Sequence, residues 1–148
     1  MDILTGLKRT KADTLPHFEL DEAELAKCYA PGKWSVRELL HHLADAETVL
    51  YERIRRVISE PRPVVWAFDP DAWAEHLKYR DLPLEPNKNV YSNVRDAIIV
   101  LAERHYEEDG NLEFVHSNLG VRTLAHEFDK VVWHNERHLQ QIEQALKG

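Results

Sequence analysis

The sequence predicts an all-α protein, a four-helix bundle with a long crossover between its second and third helices. Two observations predict it. Four long segments carry helix signals, with capping residues at their starts and Pro or Gly at their stops. Five of the seven prolines (Pro61, Pro63, Pro70, Pro83 and Pro86) fall between residues 61 and 89. A connection of that length suits a crossover along a bundle better than a tight hairpin. At 148 residues the chain can bury one core and is too short for two ordinary ones, so 1–148 reads as a single domain.

The first helix is expected over about residues 2–14. It stops ahead of Pro16, because a residue preceding proline is pushed out of the α region. A short turn over Asp21–Cys28 follows, with Asp21 as N-cap and Glu24 three residues on. The second long helix has the strongest start signal. Ser35 and Glu38 form an S-x-x-E capping box, Trp34 and Leu39 can staple across it, and Pro31-Gly32 supplies the turn upstream. Val36, Leu39, Leu40, Leu43, Ala46, Leu50, Ile54 and Val57 then recur at helical steps until Pro61. The crossover, 61–89, has room for one helical turn near Asp71–Tyr79. The third helix is expected from about Val90 to Glu108, closed by Asp109-Gly110-Asn111. Residues 112–122 read as a small hairpin around Ser117–Gly120. The fourth helix runs from about Thr123 to Lys147.

Composition excludes several classes of function. Hydrophobic residues at 43% and charged residues at 30% are those of a globular chain. A net charge of −7 argues against a nucleic-acid binder, and the Arg53, Arg55, Arg56 cluster, diluted by Glu52 and Glu60, reads as a solvated helix face. The single cysteine, Cys28, fits a reducing compartment and reads as a small buried residue rather than a nucleophile. The N-terminus lacks the apolar core of a signal peptide, and no apolar run approaches ~18 residues. The expectation is a cytoplasmic protein without nucleic-acid or membrane partners.

Nine histidines make metal chemistry the leading question. His42 shares a helix face with Leu39, Ala46 and Val49 and therefore leans inward. Its neighbour His41 lines up with Glu38, Asp45, Thr48 and Glu52 and is expected to face solvent. On the fourth helix His134 and His138 flank the stripe of Leu124, Phe128, Val131, Leu139 and Ile142. An H-x-x-x-H pair presents two imidazoles ~6 Å apart on one face. A third from a neighbouring helix completes a three-ligand site with open positions. Zn²⁺, Ni²⁺ and Fe²⁺ all accept imidazole. His17, His76, His105, His116 and His126 read as surface or loop residues.

Rival motifs fail on spacing. His126-Glu127 is followed by Lys130 where the zincin pattern needs a second histidine. Glu136 lies two residues from both His134 and His138, so it points away from them. A di-iron bundle needs two helical Glu-x-x-His motifs, and only Glu38–His41 qualifies.

The stretches PGKWSVRELLHHLADAE and WHNERHLQQI, joined by the Pro-rich crossover, resemble the DinB/YfiT-like superfamily of metalloenzymes over nearly the whole chain. DEAELAKCYAPGKW is similar to the YfiT branch. The resemblance implies an up-down-down-up bundle and a divalent metal on His42, His134 and His138, the same three that lie on or beside the apolar stripes of their helices. It assigns Gln141 to a position that in some members is another histidine, which makes Gln141 a pocket residue expected to contact the cofactor. It also implies thiol-dependent transfer or isomerisation of the bacillithiol and mycothiol type, while other members are called hydrolases. The expected activity is therefore metal-dependent transfer of a low-molecular-weight thiol to a small-molecule substrate. Metal-dependent hydrolysis and a non-catalytic metal- or partner-binding bundle, which could form a homodimer, are the alternatives. Asp45, one turn from His42, is the candidate to orient an imidazole or act on a proton. Trp66 and Trp73 could cover the pocket.

Overall fold

The computed structural model describes residues 2–148. Four long helices form it: α1 (Ile3–Thr14), α3 (Val36–Ser59), α5 (Leu84–Asp109) and α6 (Leu124–Lys147), with the short helices α2 (Glu22–Leu25) and α4 (Pro70–His76) between them. Asp2 caps α1, and a 3-10 turn over Leu15–Glu19 absorbs Pro16. Asp21 caps α2 by accepting from the Glu24 amide at 2.9 Å, but that helix ends at Leu25 rather than Cys28. Cys28 is exposed, because it lies in the extended segment beyond that helix, bridged to Ser35.

The Ser35–Glu38 capping box forms as the sequence requires. Glu38 N–H donates to Ser35 Oγ at 3.2 Å and Ser35 N–H to Glu38 Oε1 at 3.1 Å. Gly32 upstream sits at φ +73°, a left-handed turn position that suits glycine. α5 begins at Leu84, six residues before the expected Val90. Pro86 does not block it, since the first-turn N–H groups of a helix have no intrahelical acceptor to lose. The hairpin also forms, as β2 (Glu113–His116) and β3 (Gly120–Thr123) in antiparallel register. A strand the sequence did not announce, β1 (Val64–Val65), adds to β2 in parallel and makes a three-stranded sheet. Thr123 then caps α6, with His126 as the reciprocal partner.

Two apolar clusters fill the bundle. One lies toward the sheet and includes Leu7, Ile54, Ile98, Phe114 and Phe128, and the other includes Leu39, Leu40, Leu43, Tyr91 and Ile142. A polar layer joins all four long helices. Arg95 of α5 is fully buried and donates to Glu47 of α3 (3.0 Å), to Leu7 O (2.9 Å) and Thr10 Oγ1 (2.7 Å) of α1, and to Asn135 Oδ1 of α6 (2.8 Å). Asn135 in turn accepts from Tyr91 at 2.6 Å and donates to Thr14 at 2.8 Å. A buried ion pair is tolerated when its remaining donors and acceptors are satisfied, and here they are. The layer fixes the axial registry of α6 against α3, the two helices that carry His42, His134 and His138.

Candidate metal centre

Three imidazoles meet between α3 and α6. His42 Nε2 lies 2.9 Å from His134 Nε2, and His138 Nε2 lies 3.2 Å from the same atom. All three ligand atoms fall within 4.8 Å of one another. His42 is buried, and the other two are half-buried.

The donor set fits a divalent ion. Imidazole nitrogens each about 2.0–2.1 Å from one ion would sit roughly 3 Å apart, the spacing of His134 from both His42 and His138. Burial and the neighbouring imidazole push His42 down to about 3, and burial with His138 and His42 pushes His134 down to about 2. Burial also lowers His138. All three rings are thus neutral near pH 7 and can offer a lone pair. His138 Nδ1–H donates to Gln141 Oε1 at 2.7 Å, which leaves its Nε2 lone pair aimed at the centre. Hydrogen bonding among the rings is a poor substitute, since His134 Nε2 would have to serve two neighbours with one proton or one lone pair. His42 Nδ1 is buried with no hydrogen-bond partner.

Aromatic side chains close the site around His42. Trp34 packs on the ring at 4.9 Å between centroids and Phe68 of the crossover at 6.2 Å, with Trp73 of α4 behind Phe68 at 4.7 Å. Trp66, by contrast, is 75% exposed.

Asp45 is half-buried and accepts a hydrogen bond from the Tyr79 hydroxyl, not from His42, whose Nδ1 is free of partners. Burial raises the Asp45 carboxyl above its ordinary range, against the lowering effects of Tyr79 and His41. Gln141 contacts the back of His138 rather than the convergent nitrogens. Glu136 points away and pairs with Arg9.

Three sequence expectations are corrected. His41 does not face solvent: it is fully buried. The crossover folds over it, so that Leu82 O contacts Nε2 at 2.9 Å, Asn87 contacts Nδ1 at 2.8 Å and the Tyr79 ring stacks on it. Arg53 is not on a solvated face either. It is 4% exposed, beneath β1, donating to Trp66 O at 2.6 Å and lying 3.9 Å from buried Glu127. His116 is buried on β2, where its Nδ1 accepts from the amides of Asn118 and Leu119. The crossover over His41 and the β1 segment over Arg53 lie outside α3, so helix-face periodicity carried no signal of either, whereas His116 is held by the amides of its own hairpin turn.

A sequence model of the DinB superfamily matches residues 7–142. The chain belongs to the DinB superfamily. Similar members include a "putative metal-dependent hydrolase" of Oceanobacillus iheyensis, 35% identical over 129 residues, which span 87% of this chain and 74% of that one. Another of the same description, from Halalkalibacterium halodurans, is 27% identical over 127 residues, 86% of this chain and 74% of that one. The fold is that of YfiT from Bacillus subtilis, described as "a probable metal-dependent hydrolase with an unusual four-helix bundle topology". The two match with a TM-score of 0.89 at 22% identity, covering 98% of this chain and 84% of YfiT. Among the described residues, no helix of this DinB-superfamily chain is long and apolar enough to cross a membrane.

Proposed function

We propose that this protein is a metal-dependent enzyme in which His42, His134 and His138 hold one divalent ion, and that it transfers a low-molecular-weight thiol to an electrophilic small molecule. The observation that carries the reading is the convergence of three neutral imidazole nitrogens at 2.9 and 3.2 Å in a buried position. When bound, a divalent ion supplies Lewis acidity that lowers the pKa of a thiol or water beside it.

The chain's own residues supply the rest. Gln141 fixes the tautomer and tilt of His138. Trp34 and Phe68 against His42 keep water off one side of the centre, which favours a thiol over water as nucleophile. Sulfur also packs well against aromatic rings. We assign proton exchange with the reacting molecules to Asp45, a reading supported by its burial-raised carboxyl, hydrogen-bonded to Tyr79, one helical turn from His42. Exposed, unpaired Cys28 suits the reducing cytoplasm in which such thiols are maintained.

Hydrolysis is the second reading, supported by the description given to the relatives. Turnover of a panel of bacterial thiols with electrophiles, beside a panel of esters and amides without thiol, separates the two. Thiol-dependent product formation that is lost on metal removal, and reduced by Asp45→Asn, is expected. Thiol-independent cleavage would instead establish the hydrolase, and no metal-dependent turnover in either panel would favour a binding protein.

A further inference from the structure

Toward the sheet, beyond the histidines, α3 and α6 carry the basic side chains Arg53 and Lys130. Lys130 lies one helical turn before His134 on α6, about 6 Å along the axis. Arg53 lies three turns beyond His42 on α3, about 16 Å along. Arg122 joins them from β3. Its register partner is Phe114, and Phe114 and His116 form the buried face of the hairpin, so Arg122 turns to the same inner side.

Three cations thus share this end with a single buried carboxylate, Glu127, which is 1% exposed. His116, buried beside Lys130, Arg53 and Arg122, is held below its ordinary value by desolvation and by these three charges, and is neutral. The local sum is two positive charges in a chain whose net charge is −7. At the rim Arg56 is shared between Glu52 and Glu60, so the outer edge of the cleft is acidic and the positive charge lies inside it.

The internal pairing is also incomplete. Arg122 Nε is a buried donor with no hydrogen-bond partner, and Glu127 Oε2, the one carboxylate oxygen facing Arg53, stands 3.9 Å away, beyond hydrogen-bond range, and accepts from neither arginine. A buried guanidinium N–H without an acceptor is costly, and an anionic oxygen would complete it. Access exists: a cleft of about 540 Å³ opens onto Arg53 between α3 and the β1 segment, walled by Val49 and Trp66. Its volume is that of a small-molecule site. Val49 lies two turns along α3 from His42, so the cleft and the histidines lie along one helix face.

We propose that Arg53, Arg122 and Lys130 form an oxyanion-binding subsite that takes a carboxylate or phosphate carried by the substrate whose reacting end lies at the three histidines. The subsite's link to catalysis rests on the function proposed above; its binding of an anion does not. It would select acidic substrates and anchor them one to three helical turns from the reacting atoms.

Calorimetric titration of the protein as purified with inorganic phosphate and with malonate, at low ionic strength, tests it. One saturable site per chain is expected. Lys130→Gln should weaken binding at least about tenfold, the loss expected for one charge-assisted hydrogen bond. Arg122→Gln should do the same and guards against a folding defect in the first variant. His138→Ala should leave the affinity within about twofold. Preference for phosphate or for malonate would identify the oxyanion, and either preference supports the subsite. Absence of saturable binding would overturn the proposal, as would binding lost in His138→Ala but kept in both cation variants, which would place the anion at the histidines. Wild type that carries no metal yet binds anions through Lys130 would retain the subsite and refute the metal centre.

Discussion

His138 is held by Gln141: the imidazole Nδ1–H donates to the amide oxygen at 2.7 Å, one helical turn along α6. This bond decides which nitrogen of His138 presents a lone pair to His42 and His134. Gln141→Leu removes the acceptor and leaves the tautomer to chance. The expected result is a divalent-metal affinity about 10- to 100-fold lower, with unchanged stoichiometry at saturating metal. Competition with a chromophoric chelator measures it. An unchanged affinity would show that Gln141 does not orient the ring.

The metal-free protein should lose stability on mild acidification. His42, His134 and His138 are all held below 6.5, His42 at about 3. As pH falls through 6.5 the unfolded chain takes up protons that the folded chain refuses, so the unfolded state binds more protons and stability falls with pH. Each such imidazole contributes about 1.4 kcal/mol per pH unit over that window. Asp45 and Glu47 are held above their ordinary values, so they bind protons earlier when folded and oppose the trend only in the carboxylate range. Urea midpoints of the metal-free protein between pH 7 and 5 should fall steadily, and His42→Phe should flatten the slope. A slope the same in wild type and variant would exclude His42 as a contributor.

The central polar layer should behave as a unit. Glu47 and Arg95 are 3% and 0% exposed and make a two-point contact. Glu47→Gln leaves the guanidinium without its counter-charge and should cost about 3–5 kcal/mol by chemical denaturation. Replacing both by apolar residues of similar volume should cost less than either single change. A strictly additive double variant would refute coupling between the two.

Sequence reading succeeded where the physics is local. Ser35 and Glu38 cap each other across three residues, and Pro31-Gly32 turns the chain just before them, so both were visible in a short window. Helix faces placed His42, His134 and His138 on inward stripes because the bundle buries those stripes. The same logic misplaced His41 and Arg53, whose polar neighbours on their own helix suggested solvent. The crossover covers the first and β1 the second, and neither lid has a periodicity that points to what it covers. α5 starts inside the proline-rich stretch that reads as a connection, because Pro86 falls in its first turn, where proline is tolerated. The cationic end of the groove is assembled from Arg53, Arg122 and Lys130 on three elements, a convergence that only the folded chain reveals.

The metal centre itself is tested most directly by elemental analysis of protein purified without an affinity tag, beside His42→Ala and His138→Ala. Wild type should carry about one divalent ion per chain, and each variant, shown folded by circular dichroism, should carry less than about a tenth of that. A wild type without stoichiometric divalent metal, or variants that retain it in full, would contradict the assignment of His42, His134 and His138 as ligands.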